Sequence, residues 1–99
     1  MYVIREVMSC KPGQVRPLLD KFKALSGFVQ KQGLEPIRLL TDVSGAGFWT
    51  MVAEIEVERI DDFFALEQKL MGDPAVGSAM SGYHTLVDHG LREIYRLEA

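Results

Sequence analysis

Hydrophobic positions along this chain alternate, then recur at helical spacing, then alternate through two runs, turn helical again and finally alternate once more. Residues 2–9 (Tyr-Val-Ile-Arg-Glu-Val-Met-Ser) are rich in β-branched and aromatic side chains, and neither face is wholly polar. That predicts a central strand covered on both sides. Lys11-Pro12-Gly13 breaks the strand. Val15, Leu18, Leu19, Phe22, Leu25 and Val29 then fall on one helical face. They predict an amphipathic helix of roughly 18 residues. Pro17 is tolerated in its first turn, where backbone N–H groups lack intrahelical partners. Gly33 is the natural stop.

Residues 36–43 predict a second strand, and Ser44-Gly45-Ala46-Gly47 a hairpin loop. Residues 48–57 predict a third strand. Its odd positions, Trp49, Met51, Ala53, Ile55 and Val57, are all apolar; its even positions, Phe48, Thr50, Val52, Glu54 and Glu56, are mixed. Asp61 and Asp62 suit the positive end of a second helix, carried by Ile60, Phe63, Phe64, Leu66, Leu70 and Met71. Asp73-Pro74 predicts a cap and first residue of a short third helix. Val76, Ala79, Met80, Tyr83 and Val87 form its stripe, and Gly90 ends it. Gly77 and Gly82 weaken that helix by roughly 1 kcal/mol each. Residues 91–97 predict the last strand.

This βαββαβ order, with the second crossover as two short helices, specifies an α+β, ferredoxin-like domain over residues 1–99. Right-handed crossovers put the four strands of the antiparallel sheet in the spatial order last, first, third, second. All helices then cover one face. The central strands are apolar on both faces, so the bare face is expected to associate with a second copy, giving a two-fold homodimer.

The opening Lys11-Pro12-Gly13, the passage from Val57 to Phe64, Asp73-Pro74 and the closing Gly90-Leu91-Arg92-Glu93-Ile94-Tyr95 together resemble the dimeric α+β barrel superfamily. The chain is most similar there to small NIPSNAP-like and antibiotic-biosynthesis-monooxygenase-like proteins. The resemblance implies a homodimer with a pocket in each sheet–helix layer or at the barrel mouth. It also implies activities such as cofactor-independent oxygenation of phenols, haem degradation or isomerisation. In the oxygenase relatives a tryptophan, an asparagine and a tyrosine shape the substrate pocket. This chain has one tryptophan, Trp49, and no asparagine.

Composition narrows the classes. The 47% hydrophobic and 25% charged residues are those of a folded domain. A net charge of −3 without charge blocks argues against nucleic acid and anionic membranes as partners. One cysteine, Cys10, excludes an intrachain disulfide, and a reducing cytoplasm is the simplest compartment. The residues after Met1 lack a signal-peptide pattern, and no apolar run approaches the ~20 residues of a membrane span.

The candidate chemistry is sparse. His84, beside Tyr83, could act as a general base under the third helix, since imidazole titrates near neutrality. His89 lies five positions on, a poor spacing for shared ligation, so no metal site is expected. Glu54 or Glu6 could pair with an arginine across the sheet, and a paired carboxylate in a cleft is a catalytic candidate. Trp49 and Met51 could line a substrate site, and Arg38 is the foremost anion-facing group. Each has a plainer reading: Trp49 and Met51 as core, the charges as solvated rim or interdimer pairs, His89 as a helix C-terminal charge. Cys10 stands beside Lys11 near a helix N-terminus, and both features could lower its pKa.

The resemblance, taken with these residues, leaves two functions open. In one, the chain is a cytoplasmic homodimer binding a hydrophobic or aromatic metabolite without a tightly held cofactor. It would act as a monooxygenase or isomerase, with His84, Tyr83 or Glu54 moving a proton. In the other it is a non-catalytic, dimeric ligand-binding or stress-associated module whose barrel is packed solid.

Overall fold

The computed structural model describes residues 1–99. The chain runs β1 (Tyr2–Cys10), α1 (Val15–Lys31), β2 (Arg38–Thr41), β3 (Thr50–Val57), α2 (Ile60–Met71), α3 (Pro74–Ala79), a 3-10 turn (Tyr83–Thr85) and β4 (Val87–Arg96). The strands form one antiparallel sheet in the order β2-β3-β1-β4, the topology expected from the pattern.

The register divides each strand into two sets of side chains. Ile4 of β1 pairs with Ile55 of β3 and Ile94 of β4. Met51, Ala53, Ile55 and Val57 are buried under the helices, as the wholly apolar face of β3 requires. The α1 stripe of Leu18, Leu19, Phe22 and Val29 packs onto them, with Phe63 and Leu66 of α2. Ser26 is the one buried polar side chain; its Oγ accepts the Ile37 N–H at 2.9 Å, tying the entry of β2 to α1.

The opposite face is uncovered by this chain. Val7 sits between Val52 and Leu91, with Leu40 beyond Val52, so one row across the sheet is apolar. The next row reads Arg38, Glu54, Arg5, Glu93. Its charges alternate and touch: Arg38 Nη2 lies 3.0 Å from Glu54 Oε2, and Arg5 Nε 2.8 Å from Glu54 Oε1. The expected cross-strand pairing of Glu54 with arginine is therefore present twice.

Three boundaries differ from the sequence pattern. β2 is shorter than residues 36–43. β3 starts at Thr50 rather than at residue 48. Asp42 Oδ1 accepts the Thr50 N–H at 2.7 Å, and the Asp42 N–H donates to the Thr50 carbonyl at 3.2 Å, which closes the hairpin there. Trp49 is thereby left in the loop, at φ 59° and 45% exposed, rather than on the apolar face of β3. The third correction is larger. The third helix stops at Ala79 instead of running to Gly90. Gly82, at φ 77°, turns the chain, and β4 already begins at Val87, so His89 and Gly90 are strand residues. The two glycines make the helix weak, while β1 offers partners to Val87 and His89 at Cys10 and Ser9. Sheet pairing wins. Asp73 does cap α3 as anticipated, accepting the Ala75 N–H at 2.9 Å.

Ile4 is 1% exposed at the centre of this layer. Ile4→Ala should lower unfolding free energy by about 2–5 kcal/mol, measured by urea denaturation with an unchanged m-value. A loss under ~1 kcal/mol would mean that β1 is not the central strand of a packed layer.

A cavity between sheet and helices as the candidate functional site

The sheet–helix layer is not completely filled. It borders a half-open cavity of about 460 Å³, and 15 of its 20 lining residues are hydrophobic. Ile4, Met8, Ala53 and Ile55 form the floor, Phe22 and Leu25 of α1 one wall, and Leu66 and Leu70 of α2 with Val76 and Met80 the other. An apolar, half-open cavity of this size is in the range of small-molecule sites. The sequence supplies local causes. Ala53 puts a small side chain in the middle of the floor. Gly77 lines the cavity without a side chain, and a Cβ there would meet nothing within 4 Å.

One polar cluster interrupts the apolar lining. Glu6 of β1 and Arg92 of β4 are register partners on the helix-facing side. Arg92 Nε donates to Glu6 Oε1 at 2.6 Å. The other end of the guanidinium reaches Glu67 of α2, through Nη2 to Oε2 and through Nη1 to Oε1 at 3.5 Å. Its plane lies over the Phe63 ring, 5.1 Å from the centroid. The hydrogen bond to Glu67, helped by that to Glu6, raises the Arg92 pKa against the opposing effect of burial. Arg92 is thus a fixed cation that bridges the sheet to α2 across the cavity wall.

The residues singled out from sequence are mostly dispersed. Tyr83 borders the cavity and is 42% exposed. His84 stands edge-on to it, ring centroids 6.1 Å apart, but is exposed and outside the lining. Glu54 borders the cavity from the β3 floor, yet its carboxylate is engaged by Arg5 and Arg38 on the other side of the sheet. Met51 is fully buried among Cys10, Leu18 and Leu19, away from the lining. Trp49 lies in the hairpin loop, and Arg38 is exposed on the edge strand, its pKa raised first by the hydrogen bond to Glu54 and then by that to Glu56. The structure therefore does not gather His84, Tyr83, Glu54, Trp49, Met51 and Arg38 into one site.

Glu6 makes the arginine pairing that its position allowed. Arg92 and Glu67 were not singled out from sequence. Parity was the available signal: Glu6 shares the even face of β1 with Ile4 and Met8, so a charge there points into the helix layer. Cys10 corrects another expectation. Burial, with smaller contributions from Asp42 and Asp88, pushes its thiol up rather than down, so it is an inert core side chain. No three His, Cys, Asp or Glu side chains converge to hold a metal ion.

The same architecture recurs in solved structures. An uncharacterised NIPSNAP domain protein from Burkholderia xenovorans superposes with a TM-score of 0.80 at 18% identity, over 100% of this chain and 96% of that one. A NIPSNAP family protein from Agrobacterium tumefaciens gives 0.78 at 15% identity, over 96% of this chain and 90% of that one. A putative antibiotic biosynthesis monooxygenase from Deinococcus radiodurans gives 0.70 at 13% identity, over 100% and 94%. No protein-family model and no curated protein sequence matches the chain. At these identities the likeness establishes the fold: this is the α+β, ferredoxin-like architecture shared by NIPSNAP-domain and antibiotic-biosynthesis-monooxygenase-like proteins.

Proposed function

We propose that this chain is a small-molecule-binding homodimer that holds a hydrophobic or aromatic metabolite between its sheet and helices. The observation that carries this reading is the apolar cavity of about 460 Å³ with its single polar cluster. Its size lies within the range of small-molecule sites, and its lining supplies apolar burial with a few orienting groups. It counts against a solidly packed module. Of the two reactions, oxygenase or isomerase, the neighbour described as a monooxygenase favours the first, and in either the carboxylate placed to take a proton from a ligand is Glu6 rather than His84 or Glu54. The reading requires no bound cofactor. A cytoplasmic setting belongs to the same reading and rests on the single cysteine, which leaves the chain without an intrachain disulfide.

The second copy is inferred from the bare sheet face. Leu40 and Leu91, at the ends of the apolar row, are 44% and 60% exposed. Contiguous apolar surface of this kind favours association. The neighbouring row, positive-negative-positive-negative, allows a two-fold copy to set opposite signs against each other. Such exposed pairs add at most about 1 kcal/mol each, so the apolar row drives association and the charges set the register.

Two measurements test this reading. Nile red, a neutral apolar dye, should bind with a blue-shifted emission. Ala53→Phe, which fills the floor, should weaken binding at least tenfold with the helical circular dichroism retained; undiminished binding would place the dye elsewhere. Sedimentation at micromolar concentration should give twice the 11.1 kDa chain mass. Val52→Arg should yield monomer. A wild-type species of chain mass would defeat the dimer.

A further inference from the structure

The charges that line the cavity do not balance. Glu6 and Glu67 share the single cation Arg92, which leaves a formal surplus of one negative charge. Glu54, the other carboxylate at the border, is already neutralised by Arg5 and Arg38 on the opposite face. All three guanidinium nitrogens of Arg92 are engaged, Nε by Glu6 and both Nη by Glu67. Three of the five guanidinium N–H groups are thus turned to the cluster's own carboxylates, while carboxylate acceptor capacity remains. Only Oε1 of Glu6 is held by Arg92, and Oε2 receives no donor from within the chain.

Such a site discriminates by sign. A carboxylate or phosphate entering the cavity meets two carboxylates and an arginine already paired at each of its three nitrogens. It must share or break the Glu6–Arg92–Glu67 bridge and in either case sits against a net negative charge. A ligand ammonium meets an open acceptor and completes an alternating row of two cations and two anions. A hydroxyl satisfies the acceptor without supplying the charge. Partial burial strengthens each of these differences relative to bulk water.

Resting on the reading of the cavity as a ligand site, we propose that it selects apolar primary amines, with the ammonium received by Glu6 and the hydrocarbon body held among Phe22, Leu66, Val76 and Met80. Arg92 is a positioning residue: it orients Glu6 and pins α2 to the sheet. The apolar lining makes the hydrocarbon body necessary, and the surplus carboxylate decides the head group.

The test is competition against Nile red on the full chain with three ligands sharing one hydrocarbon body: naphthylmethylamine, naphthylmethanol and naphthoate. The amine should displace the dye at a concentration at least tenfold below that needed for naphthoate, with the alcohol between. The amine's advantage over the alcohol should shrink as sodium chloride is raised, because the cluster is partly solvated. Glu6→Gln should bring amine and alcohol within about threefold of each other while Nile red still binds. The wild-type comparison stands by itself if that variant does not fold. Naphthoate binding as tightly as the amine, or an amine preference that survives Glu6→Gln, would overturn the inference and leave the cavity reading intact. Failure of Nile red and all three ligands to bind would overturn both.

Discussion

β1 is hydrogen-bonded on both sides, to β3 and to β4, and its side chains alternate between two different surroundings. That alternation is the constraint on which the rest of the molecule depends. Because the side-chain period of a strand is two, a one-residue slip of β1 would exchange every residue between the helix layer and the bare face. Ile4, Glu6, Met8 and Cys10 face the helices; Val3, Arg5, Val7 and Ser9 face away. Register pairing extends each choice across the sheet. Ile4 aligns with Ile55 and Ile94, Glu6 with Arg92, Arg5 with Glu54 and Glu93. One strand therefore fixes the core, the polar cluster of the cavity and the charged row of the open face together.

The two faces differ in chemistry. On the helix side a largely apolar layer is left incomplete at Ala53 and Gly77, and Arg92 holds the remaining space beside two carboxylates. On the other side a complete apolar row lies next to an alternating charge row and no element of this chain covers it. The first arrangement suits a small ligand surrounded by side chains. The second suits a broad, self-complementary surface. The proposed ligand cavity and the proposed association face therefore lie on opposite sides of one sheet, with Glu54 bordering both.

The fold was almost wholly legible in the sequence, and the reason is local. Glycine and proline mark the ends of strands and helices, and apolar spacing changes period at those marks. The apolar stripe after Asp73 continues through Tyr83 and Val87, so spacing alone extends the helix over residues that also suit a turn and a strand edge. Only the availability of β1 as a partner decides between those states, and that is a tertiary fact. The site was less legible. His84, Trp49 and Arg38 were conspicuous as residue types, but type does not give direction. Trp49 lies outside its strand because Asp42 and Thr50 close the hairpin two residues later than the pattern suggests. Glu6 was placed by its parity, whereas Arg92 needed the β1–β4 register and Glu67 needed the packing of α2, neither of which is written in local spacing.

The central claim is that the interior of the sheet–helix layer, and not the bare face, receives the ligand. Side-chain methyl NMR during titration with naphthylmethylamine tests it directly. The account predicts that the resonances of Ala53, Leu66, Val76 and Met80 move together and saturate, while those of Leu40, Val52, Val7 and Leu91 stay in place. Saturable shifts confined to Leu40, Val52, Val7 and Leu91 would contradict it.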